Sequence, residues 1–373
     1  MPRIDLDLSI DIERTPRVAQ VEGIFDVPEA KRRTASFHFD APIEDRDWQI
    51  GLIKGPSGAG KTSIARHLFG DCIVDGYEWG SGAVVDAFPQ SMGIRDVTAA
   101  LSSVGFSSPP SWTKPFHVLS NGEKFRANLA RALVDVRPTI AIDEFTSVVD
   151  RTVGKIGSHA VSKAIRRQPG RRLIAITCHD DVTEWLQPDW IIEPHVGGFH
   201  WRSVQQRPSI ELEIVRCDYS AWKWFAPHHY LDANLAKGAR CFAGLIDGQP
   251  AGFAALRNFP HPSLKRTQAV SRVVALPDFQ GFGLVAHHMM PLIGSVAATN
   301  GWRMLTRPAH PALIKTWARS PLWEMVSPPS RAAREGRRAK LRILSRERRV
   351  ASFRYVGPAH EDRAMARKLW GKT

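Results

Sequence analysis

Gly55-Pro56-Ser57-Gly58-Ala59-Gly60-Lys61-Thr62 sets a lysine and a hydroxyl directly behind a glycine-rich run. That pattern suits a polyphosphate. The glycines let successive N–H groups curl around the β-phosphate, and a helix beginning near Lys61 adds the positive end of its dipole. Lys61 is placed to reach the β- and γ-phosphates and the Thr62 hydroxyl to ligate Mg²⁺, with Ser63 beside them a further candidate for the phosphate site. A second run, Thr139-Ile140-Ala141-Ile142-Asp143-Glu144, ends in two carboxylates. Asp143 suits the Mg²⁺ shell, and Glu144 can polarise an attacking water. A third run, Gln280-Gly281-Phe282-Gly283-Leu284-Val285, puts two glycines before an apolar segment. A strand, a glycine turn and a helix start together make an anion site. A fourth cluster, His228-His229-Tyr230, joins two imidazoles to a phenol and could move protons.

These groups need a scaffold. Trp48–Lys54 is expected to be a strand entering the phosphate loop, and Thr62–Phe69 the helix leaving it. Ile4–Ile10 and Ala35–Phe39 alternate as short strands. Helical and apolar strand segments then alternate to about residue 195, the pattern of an α/β domain with a largely parallel sheet. Pro194, Gly197, Gly198 and Pro208 mark a boundary. A second α/β unit is expected from Ile210 to about Tyr355. It contains an Asp247-Gly248 hairpin within Arg240–Leu256, a strand at Ala269–Leu276 and a helix to about Ala298. The domains expected are 1–205, 206–357 with a basic stretch at 328–349, and a basic tail at 358–373. There is no internal repeat.

The 373 residues are 43% hydrophobic and 24% charged, a globular composition. No run of about 18 apolar residues occurs, so no membrane span is expected. The N-terminus lacks the basic-then-apolar order of a signal peptide. Cys72, Cys178, Cys217 and Cys241 show no paired spacing, consistent with reduced thiols and a cytoplasmic location. The chain has 51 Lys+Arg against 37 Asp+Glu; residues 1–205 hold 24 and 26 of them, leaving 27 and 11 for the remainder. The second half alone, at +16, suits a polyanionic partner.

Over residues 1–195 the sequence resembles the ATP-binding-cassette (ABC) family. Leu119-Ser120-Asn121-Gly122-Glu123 is similar to its LSGGQ signature and precedes the expected helix Lys124–Leu133. Ser147-Val148-Val149-Asp150 resembles the D-loop, His179 after the strand Arg172–Thr177 the switch histidine, and Gln90 the Q-loop glutamine. The resemblance implies a P-loop ATPase with Glu144 and His179 as catalytic residues and Mg²⁺ held by Thr62, Gln90 and Asp143. It further implies a head-to-tail homodimer in which Ser120 and Gly122 of one copy close over ATP on the other. Asn121 departs from the glycine the family has at that position. Phe25, Phe37 and Phe39 are candidates for adenine stacking, though core packing explains each.

Residues 210–355 resemble the GCN5-related N-acetyltransferases (GNAT), whose pyrophosphate loop Q/R-x-x-G-x-G/A is similar to Gln280–Val285. Val274 precedes it on the strand. The resemblance implies a GNAT-like α/β domain binding acetyl-CoA or another acyl-CoA through Val274 and Gln280–Val285. Val285 stands where the family has Gly or Ala, a side chain that could crowd the pyrophosphate. Such enzymes need a base for the amine and a donor for the departing thiolate. Tyr230 and Tyr355 are candidate donors; His228, His229 and Glu324 are candidate bases. His228-His229-Tyr230 also resembles the phage Mom-type enzymes that modify adenine in DNA. That resemblance agrees with the basic second half and with the aromatics Trp222, Trp224, Trp302, Trp317 and Trp323, for most of which core packing is the simpler expectation. The function expected is an ABC-type ATPase fused to an acyltransferase acting on DNA, RNA or an amine associated with them. The alternatives are an ATPase with a non-catalytic second domain, or the ATPase subunit of a transporter.

Overall fold

Alternating side chains in Arg3–Asp11 (β1) and Arg32–Asp40 (β2) form an antiparallel ribbon, with Arg3 opposite Asp40 and Asp11 opposite Arg32. The computed structural model describes residues 3–25, 32–74, 76–202, 210–229, 234–331 and 349–371, and the strand numbering covers those residues. The chain divides into two units: Met1–Glu78 with Arg131–Pro208, and Trp79–Ala130 with Ser209–Thr373. The grouping is not linear in sequence, because the segment carrying Gln90 and the LSNGE run gathers with the second half.

In the first unit, apolar runs without alternation are largely buried on both faces, as strands of a covered parallel sheet must be, the short Ile73–Val74 strand at its edge being only half-buried. They are Ile50–Lys54 (β3), Ile73–Val74 (β4), Thr139–Ile142 (β5), Arg172–Thr177 (β6) and Trp190–Glu193 (β7), with Gly198–Trp201 (β8) added antiparallel. The order β4-β5-β6-β3-β7-β8 puts β3 between β6 and β7. The phosphate loop therefore leaves the middle of the sheet. Ile53, Ile64, Ile174, Ile176 and Trp190 form the core beneath it.

The second unit's sheet runs β14-β15-β13-β12-β11-β10-β9. Its strands are Leu212–Cys217 (β9), Arg240–Ile246 (β10), Gln249–Asn258 (β11), Thr267–Ala275 (β12), Arg303–Thr306 (β13), Trp323–Arg331 (β14) and Arg349–Tyr355 (β15). Asp247 and Gly248, both at positive φ, turn the expected hairpin. One pair is parallel: β12 meets β13 only from Thr267–Arg303 to Ala269–Leu305. Beyond Ala269, β12 continues beside β11 while Thr306 of β13 pairs with β15. The two strands thus fork toward the C-terminal end of β12.

Within the tail beyond residue 358, Arg363–Trp370 is a helix capped by Asp362, with Ala366, Leu369 and Trp370 buried. Arg240 donates to the Trp370 carbonyl and stacks on its ring. Trp222, Trp317 and Trp323 are core residues and Trp302 packs against the core, whereas Trp224 is 65% exposed. Most of the basic stretch, residues 332–348, lies outside the described residues, as does Tyr230. Among the described residues no helix is long and apolar enough to cross a membrane.

Candidate functional site

The phosphate loop joins β3 to helix Lys61–Phe69. Gly60 has φ +80°, and a Cβ there would lie 2.2 Å from Phe37 Cζ. Phe37 therefore packs under the loop and against the core, which leaves no reason to assign it to adenine. Phe25 is 71% exposed, and Phe39 packs against the same core. Lys61 Nζ donates to the Pro56 carbonyl at 2.8 Å, which holds the ammonium against the loop.

Asp143, at the end of β5, meets this loop. Its Oδ2 accepts from the Thr62 hydroxyl at 2.8 Å, and its Oδ1 accepts from the Glu144 N–H at 2.8 Å. Two hard oxygen donors are thus in contact. Mg²⁺ takes few protein ligands and fills the rest of its octahedron with water and phosphate oxygens, so this pair fits it. Glu144 is exposed, at φ +51°, and accepts from the Ser147 hydroxyl at 2.5 Å. Thr146, a β-branched residue, is at φ +68° and buried. Left-handed conformations at such residues cost about 1–3 kcal/mol each and persist where surroundings impose them. Those surroundings are visible. The Phe145 N–H bonds to the Ile176 carbonyl at 2.8 Å, and the Thr146 hydroxyl is 3.3 Å from His179 Nδ1. Arg151 ion-pairs with Asp181 and lies over the Trp185 ring. Asp150 caps helix Arg151–Ile165 through the Val153 N–H. The run from Asp143 to Asp150 is therefore a held turn that links β5, His179 and the next helix. Sequence reasoning singled out Glu144 and His179 but not Thr146 and Arg151, which hold this turn and which no motif marks.

In the second unit, Gln90 is exposed in a turn. Ser120 and Glu123 form a reciprocal capping box. The Glu123 N–H donates to Ser120 Oγ at 3.3 Å and the Ser120 N–H to Glu123 Oε2 at 3.0 Å, at the start of helix Asn121–Leu133. Buried Glu123 also accepts from Ser111 Oγ at 2.6 Å. The glutamate in the signature's final position therefore has a structural task. Ser120 is exposed and Gly122 buried.

The glycine turn follows β12. Gly281 and Gly283 have φ +110° and +89°, and a Cβ at Gly283 would lie 2.5 Å from His287 Cδ2. A π-helical turn, Leu284–Met289, leads into helix Met290–Thr299. Val274, Leu284 and Val285 are buried, and Val285 packs with Met289 and Ile293. Its branched side chain is therefore spent on the core, which corrects the expectation that it crowds a ligand at the turn. Phe282 lies beside the His288 ring.

Among the candidate proton carriers, Glu324 is ion-paired with Arg354 on the adjoining strand. Tyr355 donates to the Pro358 carbonyl at 3.1 Å and its ring covers Gly294, a packing role. His229 packs edge-on to Trp222. Burial pushes the His228 imidazole below its ordinary value, against the opposing pull of the Glu123 and Asp278 carboxylates. His310, which no sequence signal marked, is likewise lowered by burial. Its Nδ1 accepts from the Ala312 N–H at 3.2 Å, its Nε2 is buried without a partner, and its ring lies 6.4 Å from Trp112.

No protein-family model matches the chain. It is 26% identical over 163 residues to the cytochrome c biogenesis ATP-binding export protein CcmA of Rhodospirillum rubrum, covering 35% of this chain and 69% of that protein. Against CcmA of Paracoccus denitrificans it is 31% identical over 127 residues, 27% of this chain and 56% of the relative. Among solved structures, a dimeric bacterial ABC transporter cassette is 14% identical with a TM-score of 0.34, covering 44% of this chain and 89% of that one. A bacterial Atm1-family ABC exporter with ATP bound is 19% identical with a TM-score of 0.33, covering 43% and 33%. The sequence relatives and the loop motifs together support an ABC-type ATPase domain.

Proposed function

We propose, starting from the ABC-type ATPase domain, that this chain couples ATP hydrolysis to acyl-CoA-dependent N-acylation of nucleic acid or of an amine carried on it. In this reading Lys61 and the N–H groups of Gly55–Ser63 bind the phosphates. Thr62 and Asp143 would hold Mg²⁺, with Gln90 the remaining candidate ligand from the sequence, and the ion when bound would offset charge on the phosphates. Glu144 accepts a proton from the attacking water, and His179, held by Thr146, faces the γ-phosphate. Ser120 and Gly122 of one copy close over the nucleotide of a second, giving a homodimer whose closure gates the acyl-transfer site.

The observation that supports the acyltransferase half is the fork between β12 and β13, with the double-glycine turn at its open end. Beyond Ala269, β12 has strand pairing on the β11 side and diverges from β13 on the other, so its main chain can bond the amide-bearing arm of CoA as an added strand does. The glycine turn and helix onset suit a pyrophosphate. His228 and His229, with Tyr230, are the candidate proton carriers. Burial favours the neutral form of His228, the form a base must hold before it accepts a proton. The +16 of the second half and exposed Trp224, whose ring lies under Lys223 Nζ at 5.3 Å, support a nucleic-acid acceptor.

Acetyl-CoA at 100 times its dissociation constant should add about 2.7 kcal/mol to thermal stability. Mass spectrometry of DNA and tRNA nucleosides from producing cells should show a modified nucleoside that a Lys61→Ala chain does not make. No stabilisation would leave a nucleic-acid-binding ATPase with a non-catalytic second domain. A second reading, the ATPase subunit of an exporter, is favoured by the names of the matched relatives. Co-purification with an integral membrane protein would support it.

A further inference from the structure

The turn that leads into the two glycines is gripped from outside its own sheet. Arg126, on helix Asn121–Leu133, has no exposed side-chain surface, yet its guanidinium donates to the carbonyls of both Pro277 and Asp278, the latter at 2.7 Å. The Asp278 carboxylate is 4.0 Å away. Gln280 makes a second tie: its Oε1 accepts from the Ser107 N–H at 2.7 Å and its Nε2 donates to the Ala275 carbonyl at 2.9 Å. The main chains touch as well, since a Cβ on Gly105 would lie 2.4 Å from the Gln280 carbonyl oxygen. Burying a guanidinium is costly unless it is well bonded. A planar fork astride two successive carbonyls fixes one position of that turn, which a lysine's single ammonium does not.

The same helix begins at the LSNGE run. Arg126 is five residues beyond Asn121, about 7.5 Å along the axis. The capping box and the Glu123–Ser111 bond hold that first turn to its own subdomain. Over so short a length a helix moves as a rigid piece, so a shift imposed at Ser120 carries Arg126, and with it the Pro277–Gln280 turn.

We propose that Arg126 is a positioning residue which, with Gln280, links the signature run to the acyl-CoA turn, so that nucleotide and acyl-CoA binding change each other's affinity. The proposal rests on the reading of the glycine turn as the acyl-CoA site. Such linkage is reciprocal: whatever factor one ligand imposes on the other is returned.

Calorimetry on the full chain tests it. The acetyl-CoA dissociation constant is measured with and without a non-hydrolysable ATP analogue and Mg²⁺, and the analogue's with and without acetyl-CoA. In the native chain each ligand should shift the other by at least about fivefold, by equal factors. In Arg126→Met both should bind, with the factor reduced to one. Should that variant fail to fold, Arg126→Lys, which keeps the charge but not the fork, should give a smaller factor than the native chain. Independent binding in the native chain, or an unchanged factor in the variant that folds, overturns the proposal while leaving both sites standing. A native chain that binds no acetyl-CoA overturns the site reading and the link with it.

Discussion

The phosphate loop and the glycine turn at Gln280 share one device, glycines at positive φ between a strand and a helix, but they are held in different ways. The first is supported by its own unit's sheet: β3 is buried between two parallel strands, Phe37 lies under Gly60, and Asp143 arrives at Thr62 from the end of β5. The second depends on partners 151 and 173 residues away, Arg126 on Pro277 and Ser107 on Gln280. Its geometry is therefore set by a segment that belongs to the ABC-like part of the sequence. A site built into its sheet can act with its neighbours absent. One gripped by a segment distant in sequence can be adjusted.

The largest expected effect breaks chemistry while sparing binding. Glu144→Gln should lower ATP hydrolysis about 100- to 10,000-fold, the range for removing a general base. Its affinity for ATP should hold, since Asp143 and Thr62 are untouched. Steady-state hydrolysis beside equilibrium nucleotide binding checks it, and hydrolysis near the native rate would remove Glu144 from the water's path. Gly283→Val is the counterpart in the second unit. A side chain there is strained at φ +89° and meets His287, at about 1–3 kcal/mol, which is about a 5- to 150-fold loss of acetyl-CoA affinity. ATP hydrolysis measured without acetyl-CoA should be unchanged. If hydrolysis fell with it, the two sites would not be separable as the comparison requires.

What was legible follows the same division. Gly55–Thr62, Thr139–Glu144 and the Asp247-Gly248 hairpin carry their geometry in adjacent residues, and each element formed where its pattern put it, within a residue or two. The fork was not legible, because three paired residues between β12 and β13 leave no local trace. Neither was the role of Arg126: within a helical run it reads as a solvated cation, and only the tertiary fold makes it a buried one. Trp317, Trp323 and Trp370 could not be sorted from Trp224 by composition, since a tryptophan's exposure is decided by which neighbours arrive.

The smallest expected effect tests whether the first unit's sheet edge is as self-reliant as its site. Asp135 is 8% exposed on its side chain and accepts from the Arg137 N–H, Nε and Nη2 and from the Tyr77 hydroxyl. The Arg137 guanidinium holds its carboxyl well below the usual carboxylate range. Burial, aided by the Asp135 charge, pushes the Tyr77 phenol well above its own. A depressed carboxyl contributes stability above its unfolded value near pH 4, lost as pH falls through the folded one. A raised phenol contributes below its unfolded value near pH 10, lost as pH rises through the folded one. Asp135→Asn should therefore cost about 2 kcal/mol near neutral pH, shrinking as the medium is acidified, because the native chain loses the same contribution there. Denaturant unfolding across a pH series reads this directly. In the same variant the Tyr77 phenol should titrate at lower pH, by ultraviolet difference titration. If the variant and native curves stayed parallel down to the acid limb, Asp135 would hold its place by packing and not by charge. All of these partners belong to the first unit, so acetyl-CoA affinity in Asp135→Asn should match the native chain in conditions where both are folded.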